Sequence, residues 1–178
     1  MIITISGRPG SGKSAVAARV GQALGLEHVS AGDFMREMAA EQGMSILEFS
    51  RKAESREAID NEIDARTVRI ASEKDDLVVD ARLGWHFVPD SVKVFLDVRP
   101  EIAASRIFGA SRGSERENKS FDETVRAIEE RMESERRRYH SYYNIDYADL
   151  SQYDLVIDTS DKQIDDVVEE IVGFVEGL

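Results

Sequence analysis

The sequence predicts an α/β fold, a parallel β-sheet covered by helices on both faces. Three observations carry this. Short β-branched or apolar runs alternate along the chain with longer segments of helical periodicity. Leu77-Val78-Val79-Asp80 is a continuous apolar run closed by an acid, the pattern of a buried parallel strand. The first run, Ile2–Ser6, passes into a helical pattern through Gly7-Arg8-Pro9-Gly10-Ser11-Gly12-Lys13-Ser14, which fits G-x-x-x-x-G-K-[ST], the phosphate-binding P-loop.

Taken in order, the first helix should run to about Leu24 and stop at Gly25. Glu27–Ser30 reads as a second strand, Ala31–Asp33 as a turn, and Phe34–Gln42 as a helix ended by Gly43. Ser45 and Glu48 have the capping-box spacing and open another helix. Arg56 to about Ser72 is helical again, with Ile59, Ile63, Val68 and Ile70 among many charges. After the strand at 77–80, Val92–Val98 is the next, and Pro100 suits the first position of a helix to Phe108. Gly109–Asn118 reads as an exposed insert. Ser120 and Glu123 form a second capping pair, opening a long charged helix to about Tyr142. Residues 144–153 are irregular, and Asp154–Asp158 is the last strand. Asp161 or Asp165 can cap the final helix, whose stripe of Ile164, Val167, Val168, Ile171, Val172 and Val175 is core.

At 178 residues the chain is expected to form one domain, 1–178. A formal net charge of −12 argues against coating nucleic acid, which wants a basic face. With no cysteine there is neither disulfide nor thiolate metal site. No apolar run approaches 18 residues, so no membrane span is expected. Nothing at the N-terminus resembles a signal peptide, and a cytoplasmic monomer is expected.

The loop's spacing has a mechanical reason. Glycines let successive backbone amides turn toward one concavity, and the following helix adds its free N–H groups and positive dipole end. Gly7, Arg8, Pro9, Gly10, Ser11, Gly12, Lys13, Ser14 and Ala15 are therefore the candidate cradle for ATP. Lys13 would reach the β/γ-phosphates, and the Ser14 hydroxyl would bind Mg²⁺. Asp80, at a strand end, has the position of a Walker-B acid and is the second Mg²⁺ candidate. Ligands of such sheets bind outside the carboxyl ends of the strands, which puts the P-loop, Gly32-Asp33, Asp80-Ala81-Arg82 and the residues after Val98 on one edge. Arg36 and Arg82 follow strands there. Arg106, Arg112 and Arg116 surround the insert, and Arg131, Arg136, Arg137 and Arg138 lie on the helix after it. A guanidinium forks onto two phosphate oxygens and keeps its charge. For Arg137 and Arg138, next to Glu133 and Glu135, solvated helix charge is an equal alternative. His28, His86 and His140 have no spacing that suggests a base or a metal site.

Ser30–Arg36 resembles the nucleotide-monophosphate-binding helix of nucleoside monophosphate kinases, and Asp80-Ala81-Arg82 resembles the segment after their third strand. The stretches "SAGDFMREMAAEQGMSILEFS", "DNEIDART", "VVDARLGW", "RAIEERMESERRRYHSYYNID" and "LSQYDLVIDTS" resemble the archaeal-type cytidylate kinases and cover most of the chain. The "DARLGW" stretch departs by one missing residue and an Asp where Glu is usual, and the insert is longer. These departures bear on base selectivity more than on reaction type. The resemblance implies a five-stranded parallel core, acceptor-binding helices over about 31–74, and an arginine-bearing lid with its flanking helix over about 106–140. By position it implies that Arg36 and Arg82 hold the acceptor's phosphate, with Gly32 and Asp33 beside them. Arg106 and Arg112 would sit near the ATP end, and Arg131 and Arg137 would close over the transferring group or the acceptor. Asp60, Asp64 and Arg66 would read base or sugar.

The expected reaction is transfer from ATP·Mg²⁺ to a nucleoside monophosphate, CMP or dCMP first. An ionised phosphate acceptor needs no general base, so catalysis is positioning plus charge stabilisation. One alternative is a P-loop kinase of another nucleotide or of a small-metabolite hydroxyl, for which Asp33 would be the base. A nucleotide-dependent switch is a further alternative, but a guanine-specific one would want an N/T-K-x-D motif, which the chain lacks.

Overall fold

A computed structural model of the chain describes residues 1–109 and 120–178. The elements in order are β1 (Ile2–Gly7), α1 (Lys13–Leu24), β2 (Glu27–Ser30), α2 (Ala31–Glu41), α3 (Ile46–Glu54), α4 (Glu57–Glu73), β3 (Leu77–Asp80), α5 (Gly84–Phe87), β4 (Val92–Asp97), α6 (Pro100–Gly109), α7 (Phe121–Tyr143), a 3₁₀ turn at Leu150–Gln152, β5 (Leu155–Asp158) and α8 (Ile164–Glu176). The five strands form one sheet in the order β2-β3-β1-β4-β5, and every pair is parallel. Ile5 pairs with Asp80 and Gly7 with Leu96, so the phosphate loop leaves the sheet between the ends of β3 and β4.

The period-two alternation of β1 decides what each face holds. Ile3 and Ile5 join Val94, Leu96 and Ile157 on one face, against Val16 and Val20 of α1 and Val167, Ile171 and Val175 of α8. Thr4 and Ser6 point the other way and are fully buried. Thr4 Oγ1 lies 2.9 Å from Ser91 Oγ, and Ser6 Oγ lies 2.9 and 3.0 Å from the carbonyls of Ala81 and Arg82. That hydroxyl holds the turn after β3 against β1. Over this face an aromatic cluster gathers Trp85, Phe95, Tyr139 and Tyr147. Nearer β2 the same side is covered by α2–α4, through Phe34, Met38, Phe49, Ile59 and Ile63. No helix among the described residues is long and apolar enough to cross a membrane.

Three local expectations change. Ala31–Asp33 is the first turn of α2 rather than a turn before it. Ser30 is extended at φ −124° and serves as N-cap, but its side chain makes no capping bond because the hydroxyl donates to Asp80 Oδ2 at 3.3 Å. Asp33 in that first turn complements the helix dipole. Residues 84–87 form the short α5, with Trp85 buried in the aromatic cluster. The cap of α8 is Gln163, in a reciprocal box with Asp166. Asp161 and Asp165 pair instead with Arg99 and Arg19. The two Ser caps form as expected: Ser45 and Glu48 close a full capping box, and Ser120 Oγ accepts from the Glu123 amide at 3.1 Å. Apart from Gly109, the expected exposed insert lies outside the described residues.

Candidate active site

The phosphate loop is built by two left-handed glycines. Gly10 has φ 80° and Gly12 φ 85°. A Cβ on Gly10 would come within 2.7 Å of Ala103 Cα, so the loop lies flat on α6. A Cβ on Gly12 would meet nothing within 4 Å. Gly12 leads α1, which has no side-chain cap, so the first-turn amides of the helix remain for an anion. Ser11 Oγ is buried without a hydrogen-bond partner, and Ser14 is exposed. Pro9 is buried and Ala15 half-buried at the start of α1. Arg8 Nε pairs with Asp97 at the end of β4, 2.6 Å away. Arg106 Nη1 donates to the Gly10 carbonyl at 3.3 Å and to Thr159 Oγ1 at 3.1 Å, while its Nη2 donates to the Thr159 carbonyl at 2.6 Å. Arg106 thus ties the loop to the segment after β5. Arg112 and Arg116 lie outside the described residues.

Lys13 pairs with Asp80 Oδ1, on the strand next to its own loop. Asp80 is 1% exposed. Burial, and next the Arg82 guanidinium, push the Lys13 ammonium well below its usual value, and the Glu135 carboxylate works against them. His28 Nε2 stands 4.0 Å from Asp80 Oδ2, and burial lowers its imidazole.

Beside this pair lies a second charged knot. Arg82 Nε donates to Glu135 Oε2 at 2.9 Å, and its Nη1 donates to the carbonyl of Gly7. Arg131 Nε donates to the other oxygen, Glu135 Oε1, at 3.1 Å. Burial alone would raise the Glu135 carboxyl, but Arg82 and Arg131 overcome it and hold it down at about 2. For Arg82 burial works downward, and Glu135 more than offsets it, so this guanidinium stays charged.

The acceptor-side candidates divide. Arg36 is exposed, pairs with Asp33, and covers Gly32. Arg66 turns to α2, stacked 4.0 Å over the Phe34 ring and paired with Glu37 at 2.8 Å, not onto Asp60 and Asp64. Asp60 is held by Arg138 Nη1 at 2.8 Å. Asp64 Oδ2 accepts from Tyr143 OH at 2.7 Å. Burial and the neighbouring Asp60 raise the Asp64 carboxyl to about 6. Arg137 is exposed and paired only with Glu133, one turn along its own helix, among the described residues. Glu135 and Tyr143 thus belong to the site region without having been singled out for it, and Arg138, weighed against solvated helix charge, reaches Asp60. The available signal for Glu135 and Arg138 was helical phase: 131, 135 and 138 share one face of α7, and 137 does not; Tyr143 lies off that face, so phase gives no signal for it. A groove of about 500 Å³ opens beside Arg8 and Pro9 under a neighbouring face of α7, lined by Val125, Ile128, Met132 and Tyr147.

Two glycines at positive φ, an uncapped helix start and a buried unpartnered hydroxyl suit a polyphosphate. Ser14 and Asp80 are the oxygen donors that could share a Mg²⁺ with it. Among the described residues no cluster of three or more His, Cys, Asp or Glu could hold a metal ion without such help.

One edge of the sheet can therefore grip a polyphosphate beside β1 and a second anion beside β3, and that is the work of a P-loop kinase. The chain belongs to the cytidylate kinase-like family, whose model matches residues 2–161. It is 40% identical over 176 residues to the cytidylate kinase of Sulfurisphaera tokodaii, covering 98% of this chain and 94% of that one. It is also 40% identical over 183 residues to that of Methanocaldococcus jannaschii, covering 100% and 99%. Among solved structures, a shikimate kinase from Bacteroides thetaiotaomicron superposes with a TM-score of 0.69 at 18% identity, covering 99% of this chain and 98% of that one. At that identity the likeness is one of fold.

Proposed function

We propose that the chain is a cytoplasmic enzyme that transfers the γ-phosphoryl group of ATP to CMP or dCMP. The observation that carries this reading is the meeting of two phosphate grips at the end of β1: the glycine loop with Lys13 on one side, and Arg82 with Arg131 on the other. The loop and the first turn of α1 hold the donor's phosphates. Ser14 and Asp80 would hold a Mg²⁺ that came with the nucleotide, and the ion would neutralise charge on the phosphate oxygens. Arg106 stands at the donor's base end. Arg36, Arg82 and Arg131 hold the acceptor's phosphate.

In the transfer an acceptor phosphate oxygen bonds to the γ-phosphorus as its bond to the bridging oxygen of ADP breaks. The acceptor oxygen is already ionised, so no proton has to leave it. Lys13 and the arginines meet charge that shifts between fixed groups, without solvent having to reorganise. Asp60 and Asp64 read the base: a carboxylate accepts from the exocyclic amine of cytosine and repels the carbonyl at the same place on uracil.

The test is ADP production with ATP·Mg²⁺ against CMP, dCMP, UMP, AMP and GMP, with a no-acceptor control and small alcohols. Turnover concentrated on CMP and dCMP is expected. Turnover confined to an alcohol would replace this reading with a hydroxyl kinase using Asp33.

A further inference from the structure

Resting on that reading, we propose that Glu135 is a positioning residue that aims Arg82 and Arg131 at the transferring phosphoryl group. The two arginines come from distant parts of the chain, the turn after β3 and the middle of α7. Each reaches the carboxylate through Nε, one to each oxygen, at 2.9 and 3.1 Å. A guanidinium has five N–H donors. Holding it by Nε alone leaves the N–H groups on the end-on edge of the guanidinium, between its two outer nitrogens, for another anion. Arg82 uses Nη1 on the carbonyl of Gly7, the first residue of the phosphate loop. Its Nη2 and both outer nitrogens of Arg131 have no hydrogen-bond partner among the described residues. One carboxylate therefore fixes two guanidinium groups side by side, and one of them is tied to the loop.

A purely structural ion pair would not need this shape. Glu135 and Arg82 are buried, with side chains 8% and 12% exposed, whereas Arg131 is 57% exposed. Arg131 is open to water on its outer side, which screens what its pairing with Glu135 four residues on adds to stability. The geometric effect of the pairing is larger, because it removes the freedom of a long side chain just where a contact must be made.

The test is steady-state kinetics with ATP·Mg²⁺ and CMP on the wild type, Glu135→Gln, Arg131→Met and the double variant. A misaimed transition-state contact costs roughly 10²-fold in kcat. Each single variant is therefore expected to lose about that much, with KM for ATP changed by less than about threefold. The double is expected to be little worse than the poorer single, because both changes disable the same fork. Glu135→Asp keeps the buried charge and so the fold, but draws the carboxylate back; it is expected to lose kcat as well. A wild-type kcat in Glu135→Gln or Glu135→Asp, or strictly multiplicative losses in the double, would overturn the positioning role and leave the proposed reaction standing. A wild-type chain inert toward every nucleoside monophosphate would overturn the reaction, and this role with it.

Discussion

Replacing Gly10 by alanine should damage the protein out of proportion to one methyl group. At φ 80° a side chain costs about 1–2 kcal/mol before it touches anything. Here it also meets α6: the new Cβ would lie 2.7 Å from Ala103 Cα, 2.8 Å from its Cβ and 2.9 Å from its carbonyl oxygen. Two of those three atoms are backbone, so the overlap cannot be relieved by a rotamer change. Overpacking of this kind adds about 1–3 kcal/mol. The sum, roughly 2–5 kcal/mol, is a large part of the 5–15 kcal/mol that holds a typical domain together. For a chain of this length it corresponds to a fall in Tm of roughly 4–20 °C. Urea and thermal denaturation, each with and without ATP·Mg²⁺, measure it. Gly12→Ala is the control, because its φ is nearly the same but no atom lies within 4 Å; it should cost only the ~1–2 kcal/mol of backbone strain. Adding Ala103→Gly to Gly10→Ala removes one of the three overlaps and should recover less than half of the loss. Equal costs for the Gly10 and Gly12 variants would refute the claim that the loop is seated on α6.

Three further outcomes are expected. Lys13→Met should abolish transfer and also cost about 3–5 kcal/mol near neutral pH, because it strands the buried Asp80 carboxylate; adding Asp80→Asn should restore stability but not turnover, as read by melting and ADP production. The Glu135 carboxyl sits at about 2 in the fold against a usual 4.5, so it contributes about 3 kcal/mol above pH 4.5 that is lost as pH falls through 2. Urea midpoints of the wild type should therefore converge on those of Glu135→Gln below pH 4, and a gap that stays constant would contradict the pairing. Asp64 has the opposite sign: its folded value of about 6 lies above the usual 3.8, so its ionisation costs stability above pH 6 and that cost disappears as pH falls toward 3.8. Asp64→Asn should stabilise the protein by about 1–2 kcal/mol at pH 8, after screening at its open edge, and by nothing measurable at pH 4.

What was legible in the sequence was what is local. The phosphate loop, the strand at 77–80 and the Ser45 and Ser120 caps each depend on neighbours within a few residues, and each formed where its pattern lay. The start of α2 was misread because the Ser30 hydroxyl answers to Asp80, fifty residues away in the chain. The role of each arginine was harder still. Arg137 and Arg138 are adjacent and chemically identical, yet one faces water beside Glu133 and the other reaches Asp60, 78 residues distant. Glu135 stood out least, since an acid among basic residues on a long helix reads as ordinary surface charge. Only the packing of α7 against the turn after β3 makes it a buried partner of Arg82.

The strand order has a consequence for how such a protein can diverge. With β1 central, α2–α4 and the turn at 81–82 follow β2 and β3, while residues 97–106 and 158–160 lie at and beyond the ends of β4 and β5; on the proposed reading the first set faces the acceptor and the second the donor. On that reading the acceptor-binding helices and the far end of the donor site are encoded in separate stretches of chain, on either side of the phosphate loop's own strand. Helices α2–α4 can be rewritten to admit a different acceptor without disturbing the grip on the donor. Among the described elements, α7 spans this partition: it packs on α6 at one end and touches Arg82, Asp60 and Asp64 along the rest. A change of specificity achieved by exchanging segment 31–74 between relatives must therefore carry matching positions of α7 with it.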